Sequence, residues 1–130
     1  MDGKPTIYQW IVKHSQQFKL GYKTDIGAFT YINAKNGVTI DDYVQIGSHC
    51  SLYSVSTIDK KEGAIRLKKG SRIGTHSVIM PGITIGEGSI IGAFSFVNID
   101  IPDNVLAFGV PAKVIRPLTD DERKDEMEQS

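Results

Sequence analysis

The 130-residue sequence predicts an all-β parallel solenoid on three observations: a six-residue aliphatic period, small residues two positions before it, and glycines directly after it. The period is cleanest where Leu67, Ile73, Ile79, Ile85, Ile91 and Val97 fall six apart without a slip. Six matches neither the 3.6-residue repeat of a helix nor the two-residue alternation of a long strand. The residues two before each ladder position, Ile65, Ser71, Ser77, Ile83, Ser89 and Ser95, are mostly small. Residues two apart on a strand share a face, so each pair can point inward before a short turn resets the chain. Gly74, Gly86 and Gly92 directly follow ladder positions, where a residue without Cβ relieves the bend. Strand and turn repeated in this way wind the chain into a coil whose layers pair as parallel strands about 4.8 Å apart.

Residues 1–19 lack the period and are expected to cap the first coil, with Tyr8, Trp10, Ile11 and Phe18 covering otherwise unpaired backbone and core. The coil itself is expected over residues 20–101. Its ladder begins at Leu20 and continues through Ile26 and Ile32, with Gly21 and Gly27 in the places of the later glycines. The eight-residue gap from Ile32 to Ile40 implies a two-residue insertion around Asn36-Gly37, a strong turn dipeptide. Ile40, Ile46, Leu52 and Ile58 are expected to restore the period. The next gap, to Leu67, contains Asp59, Lys60, Lys61, Glu62 and Gly63, which cannot line a dry core and are expected to project as a loop over 57–66. Insertions in solenoids usually map to one face, often the binding face. After Val97 the run Ile101-Pro102-Asp103-Asn104 breaks the ladder. Residues 102–130 then form a C-terminal segment and a charged tail, the tail read as a frayed helix or disorder. All of this fits one domain.

Fifteen basic and fifteen acidic residues leave no net charge, which argues against general affinity for nucleic acid or an anionic membrane. Ile7 to Val12 is too short to span a bilayer or to form a signal-peptide core, so a cytoplasmic location is expected. Cys50 is the only cysteine, which excludes an intrachain disulfide and a cysteine-built zinc site. Two positions before Leu52, it is expected to be a small buried side chain rather than a nucleophile. Gly82, Gly86 and Gly88 are turn glycines and not a phosphate loop. No metal is expected: His14 lies outside the repeats, and His49 and His76 are too few for a three-histidine zinc site.

Histidine is the natural general base, because its ordinary pKa lies near neutrality. His49 lies three residues beyond Ile46 and His76 three beyond Ile73, both at outward-facing turn corners. Allowing for the insertion, Val55 is expected one coil below His76. Both histidines are candidate bases, with His49 preferred, and His14 is expected to be solvated. Asp59 and Glu62 on the loop can accept a proton or hold an amine, although solvated loop charges are the plainer reading. Tyr22, Tyr31, Tyr43 and Tyr53 offer stacking faces or seals between subunits.

The run from Ile73 to Gly86, Ile-Gly-Thr-His-Ser-Val-Ile-Met-Pro-Gly-Ile-Thr-Ile-Gly, is followed by Asp100-Ile101-Pro102 and by Gly109-Val110-Pro111-Ala112-Lys113-Val114-Ile115. Together they resemble the hexapeptide-repeat acyltransferases, and the resemblance covers residues 20–116. The closing segment is similar to that of the galactoside, maltose and sugar-nucleotide acetyltransferase branches. The resemblance implies a left-handed parallel β-helix, a hand opposite to the usual crossover rule, and a homotrimer with active sites between subunits. It implies acetyl-CoA as co-substrate and no metal. Position by position, it implies that Thr75 and the turn Gly92-Ala93 meet the pantetheine arm, that Lys113 and Arg116 lie near the CoA phosphates, and that Asn33 holds the acceptor.

In the galactoside and maltose branches a histidine base follows the motif matched here by Leu52-Tyr53-Ser54. Counting along places Thr57 at that position, and threonine cannot take a proton near neutral pH. A hydroxyl acceptor must lose a proton as it attacks, whereas an amine attacks through a lone pair it already has. The resemblance and this departure together imply an N-acetyltransferase acting on a nucleotide-linked amino sugar in surface-polysaccharide synthesis. The alternatives are O-acetylation of a sugar or antibiotic hydroxyl, and a non-catalytic trimeric scaffold or partner subunit.

Overall fold

The structure, a computed structural model, describes residues 9–123. Tyr8 in the expected cap and residues 124–130 of the tail lie outside the described residues. Two- and three-residue strands alternate with short turns, so that the chain visits three faces in rotation. The first face is a four-stranded parallel sheet of Phe18–Leu20, Val38–Ile40, Ile65–Leu67 and Thr84–Ile85. The second contains Asp25–Ile26, Gln45–Ile46, Arg72–Ile73, Ile90–Ile91 and Val105–Gly109, and Ala112–Pro117 returns antiparallel along its edge. The third, five-stranded, stacks Ile11–Lys13, Tyr31–Asn33, Ser51–Tyr53, Val78–Ile79 and Phe96–Val97.

Register follows the aliphatic period. Ile32 pairs with Leu52, Leu52 with Ile79 and Ile79 with Val97, while Ile26, Ile46, Ile73 and Ile91 form the equivalent row on the second face. These side chains point inward and are buried along the whole coil, forming one narrow core. Each buried aliphatic side chain contributes roughly 1.5–3 kcal/mol relative to exposure, and this burial favours the coiled conformation. Leu20 stays exposed because its layer ends the first face.

Ile58 departs from the expected ladder: it is 96% exposed. After Tyr53 the chain leaves the coil, and Val55–Ser56 pairs antiparallel with Lys61–Glu62 as a hairpin that places Ile58 in its tip. The first face resumes at Ile65, so residues 65 and 66 belong to the coil and not to the loop. By contrast the Asn36-Gly37 insertion is a local turn, with Gly37 in the left-handed region (φ 99°) and Ala34 and Val38 buried on either side. Among the described residues no helix is long and apolar enough to cross a membrane.

Candidate active site

The corner between the second and third faces repeats one tetrapeptide four times. Its copies are Gly27-Ala28-Phe29-Thr30, Gly47-Ser48-His49-Cys50, Gly74-Thr75-His76-Ser77 and Gly92-Ala93-Phe94-Ser95. The opening glycine is required by close approach: a Cβ on Gly74 would lie 2.5 Å from the Ala93 backbone nitrogen. The third residue turns the corner in the left-handed region, with φ of 64°, 58°, 61° and 61° from Phe29 to Phe94. The fourth points inward and ties adjacent layers together. Thr30 Oγ1 donates to the Gly47 carbonyl and accepts from Cys50 N–H, and Ser77 Oγ does the same with Gly92 and Ser95. Cys50 occupies this column as a buried thiol donating to the Gly74 carbonyl, and burial pushes its pKa up, in keeping with a structural role.

The outward result is a continuous column of rings. Phe29 and His49 lie 5.0 Å apart, His49 and His76 stack at 4.7 Å and 4°, and His76 and Phe94 stack at 4.9 Å and 15°. Both histidines are exposed at an outward corner, as expected. The residue one coil below His76 is His49, however, and not Val55. The loop hairpin removes more residues from the coil than the counted insertion, and Val55 lies in that hairpin, paired with Glu62, off the ring corner. His76 Nδ1 lies 2.9 Å from Thr75 Oγ1, which in turn lies 2.8 Å from the Ser48 carbonyl oxygen and 3.2 Å from Ser48 Oγ. Among the described residues the His49 ring makes no hydrogen bond. His14 is half-buried beside a short 3-10 turn and takes no part in the column. Ala93 is exposed on the same corner, while the Gly92 carbonyl accepts from Ser77 and Ser95.

Where the third face meets the hairpin, a cleft of about 330 Å³ is lined by Asn33, Tyr53, Val55, Ser56, Thr57 and Ile58. Asn33 Oδ1 accepts from Lys35 N–H at 3.1 Å, and Tyr31 and Tyr53 lie 5.8 Å apart beside it. Asp59 and Glu62 are on the hairpin but do not line this cleft. The Ser56 hydroxyl, chiefly, holds the Asp59 carboxyl below its ordinary value.

Lys113 and Arg116 share the return strand. Lys113 is exposed, whereas Arg116 grips both Glu122 oxygens at 2.8 and 3.0 Å, so its charge is already matched within the chain. The Arg116 contact, together with the Thr119 N–H, lowers the Glu122 pKa to about 2. No cluster of three or more His, Cys, Asp or Glu residues among those described is placed to hold a metal ion. Phe29 and Phe94 escape a search for polar chemistry; the recurrence of the glycine tetrapeptide is the signal that marks them.

Residues 64–98 match the family model for bacterial transferase hexapeptide (six repeats). With its three-faced coil, the chain is a hexapeptide-repeat protein, a left-handed parallel β-helix. Galactoside O-acetyltransferase of Escherichia coli K12 is 39% identical, in a match covering 79% of this chain and 58% of that protein. A galactoside acetyltransferase solved in complex with coenzyme A superposes with a TM-score of 0.80 at 31% identity, covering 88% of this chain and 62% of that one. AntD, an N-acyltransferase from Bacillus cereus, was solved as a mutant with dTDP-4-amino-4,6-dideoxyglucose and coenzyme A. It superposes with a TM-score of 0.63 at 27% identity, covering 92% of this chain and 75% of that one. The chain spans 58% of the length of the curated galactoside O-acetyltransferases it matches.

Proposed function

We propose that this chain is an acetyl-CoA-dependent acetyltransferase that acts as a homotrimer on the amine of a nucleotide-linked sugar. The observation that carries this is the composition of the cleft: none of Asn33, Tyr53, Val55, Ser56, Thr57 and Ile58 takes a proton near neutral pH. Losing a positioned base slows attack by a hydroxyl by about a hundred- to ten-thousandfold, whereas an amine attacks through its own lone pair and sheds its proton only afterwards, to a group that need not lie in the cleft. Asn33 and the Tyr53 ring hold the acceptor in this scheme, and Asp59 and Glu62 on the hairpin offer carboxylates to a cationic amine. The backbone at Thr75 and Gly92-Ala93 takes the pantetheine arm, and Lys113 faces the CoA phosphates. Arg116 joins Lys113 only by giving up Glu122.

The cleft and the ring column lie on opposite edges of the third face. A neighbouring copy that brings its ring corner against this cleft would complete the site, which supports assembly around a threefold axis. Coenzyme A in the galactoside acetyltransferase structure, and the amino-sugar nucleotide and coenzyme A in the AntD mutant complex, support the donor and acceptor classes. Such a substrate suits surface-polysaccharide synthesis in the cytoplasm.

A second reading, O-acetylation of a sugar, is favoured by the 39% identity to galactoside O-acetyltransferase. Steady-state consumption of the acetyl-CoA thioester with paired amino and hydroxy sugars, free and nucleotide-linked, separates the two. Faster turnover of amino-sugar nucleotides is expected. Faster turnover of a hydroxy sugar would establish the second reading, and failure to bind acetyl-CoA would end both.

A further inference from the structure

The neighbours of Thr75 Oγ1 determine which nitrogen of His76 carries a proton. The Ser48 carbonyl oxygen takes the His76 backbone N–H at 3.1 Å on one lone pair and lies 2.8 Å from Thr75 Oγ1. Two oxygens so close need a proton between them, and the carbonyl has none to give, so the single hydroxyl proton of Thr75 points there. Ser48 Oγ at 3.2 Å and His76 Nδ1 at 2.9 Å must then donate to Thr75 Oγ1. A neutral His76 ring therefore carries its proton on Nδ1 and keeps a bare lone pair on Nε2. Free imidazole side chains prefer the opposite form, so Thr75 overrides the intrinsic bias of the ring. Stacking between His49 and Phe94 confines the ring to its plane and opposes the flip that would exchange the two nitrogens.

The corner keeps these rings against a steric preference. Glycine occupies left-handed positions at 70 and 88 on another corner, yet all four levels here carry Phe or His. The backbone does not call for a ring, so the side chains account for its presence. His49 stacks in the same column without a hydrogen bond, among the described residues, to select one form of its ring.

We propose that His76, rather than His49, is the catalytic base of the acetyl transfer, and that Thr75 is a positioning residue holding its Nε2 unprotonated; this rests on the acetyltransferase reading above. The acceptor nitrogen uses its lone pair to form a C–N bond to the thioester carbonyl carbon. Nε2 takes the proton that this nitrogen sheds. As the C–S bond breaks, its electron pair leaves on sulfur, and the imidazolium returns the proton to the thiolate. The products are an amide and free thiol, and His76 ends as it began.

Nitrogen-15 NMR of the full chain at neutral pH reads the ring without any substrate. With its signals assigned by their loss in His76→Gln, His76 is expected to show a protonated Nδ1 and an unprotonated Nε2. Thr75→Val, which keeps the side-chain shape, is expected to move the ring to the Nε2–H form, and Thr75→Ser to preserve Nδ1–H. In steady state His76→Gln is expected to lose about a hundredfold or more in kcat, and Thr75→Val about tenfold, with the smaller change in the KM for acetyl-CoA and recovery in Thr75→Ser. An Nε2–H ring in the native protein overturns the proposal whatever the activity. Full turnover by His76→Gln overturns the role given to His76. A native chain that transfers acetyl to no acceptor defeats the acetyltransferase reading and that role with it, while NMR alone judges the tautomer.

Discussion

Two corners of the same coil meet the same backbone requirement with different side chains. The ring corner, between the second and third faces, opens with glycine at four levels and turns on Phe29, His49, His76 and Phe94. The corner between the first and second faces also turns in the left-handed region, on Lys23, Tyr43, Gly70, Gly88 and Asn104. Its opening residues are Gly21, Asp41, Lys68, Gly86 and Pro102: three levels carry a side chain, although a Cβ on Gly21 or Gly86 would meet the backbone of the next layer at 2.6 or 2.4 Å. Rings meet only at Tyr22 and Tyr43, edge to face at 6.0 Å, with Lys69 Nζ 5.7 Å from the centre of the Tyr43 ring. Inside, Thr24, Val44, Ser71, Ser89 and Val105 do not make a continuous polar column, and buried Ser71 Oγ has no partner among the described residues. Turning the chain therefore requires only a left-handed residue. Regular side chains beyond that need another cause, which at the ring corner is layer locking inside and an exposed chemical surface outside.

The sharpest way to break this contrast is through the opening glycine. Gly74→Ala would press a Cβ into the backbone of Gly92 and Ala93, and is expected to cost about 3 kcal/mol in urea unfolding. Lys68→Ala, at the matching place on the other corner, is expected to stay within about 0.5 kcal/mol. Equal losses would show that the two corners are packed alike. Next comes the inner column: Ser77→Ala strips the Ser95 N–H of its acceptor and is expected to cost about 1–2 kcal/mol, whereas Ser71→Ala removes an unpartnered hydroxyl and is expected to be neutral.

Substituting glycine at the turning residues has a smaller expected effect. Phe94→Gly and Tyr43→Gly relieve a left-handed L-residue but lose a partly exposed ring, so each should shift stability by less than about 1 kcal/mol. Only Phe94→Gly should alter the His76 nitrogen spectrum, since Phe94 stacks on that ring. The smallest effect belongs to the C-terminal return, which sets a baseline for both corners. Glu122 titrates at about 2 in the folded chain against an ordinary 4.5. A folded value below the unfolded one means that the contribution is whole above 4.5 and is lost as the pH falls through about 2. The native chain should therefore lose slightly more of its urea midpoint than Glu122→Gln between neutral and strongly acidic pH. Solvent screens this exposed pair, so high salt should shrink the difference.

Much of the coil was legible from spacing, because each aliphatic residue from Leu67 to Val97 reports its own burial through a local pattern. Ile58 misled that count. It continues the six-residue rhythm, yet pairing of Val55 with Glu62 lifts it out of the coil, and a rhythm counted along the chain cannot register a hairpin. The fate of Val55 follows from the same error. Asn33 and Thr57 each stand out in the sequence, but their meeting in one cleft depends on where the hairpin folds. Nothing in the chemical type of Phe29 or Phe94 distinguishes a ring at a site from one used in packing.

The sequence by itself determined that the chain coils, how often it turns and which side chains face inward, since these depend on neighbours within six residues. Only the tertiary structure decided what stands above what. Thr75 meets Ser48, and His76 meets His49, across 27 positions of chain that include the hairpin. Parallel layers about 4.8 Å apart bring such residues to hydrogen-bonding and ring-stacking distance, whatever lies between them in the chain.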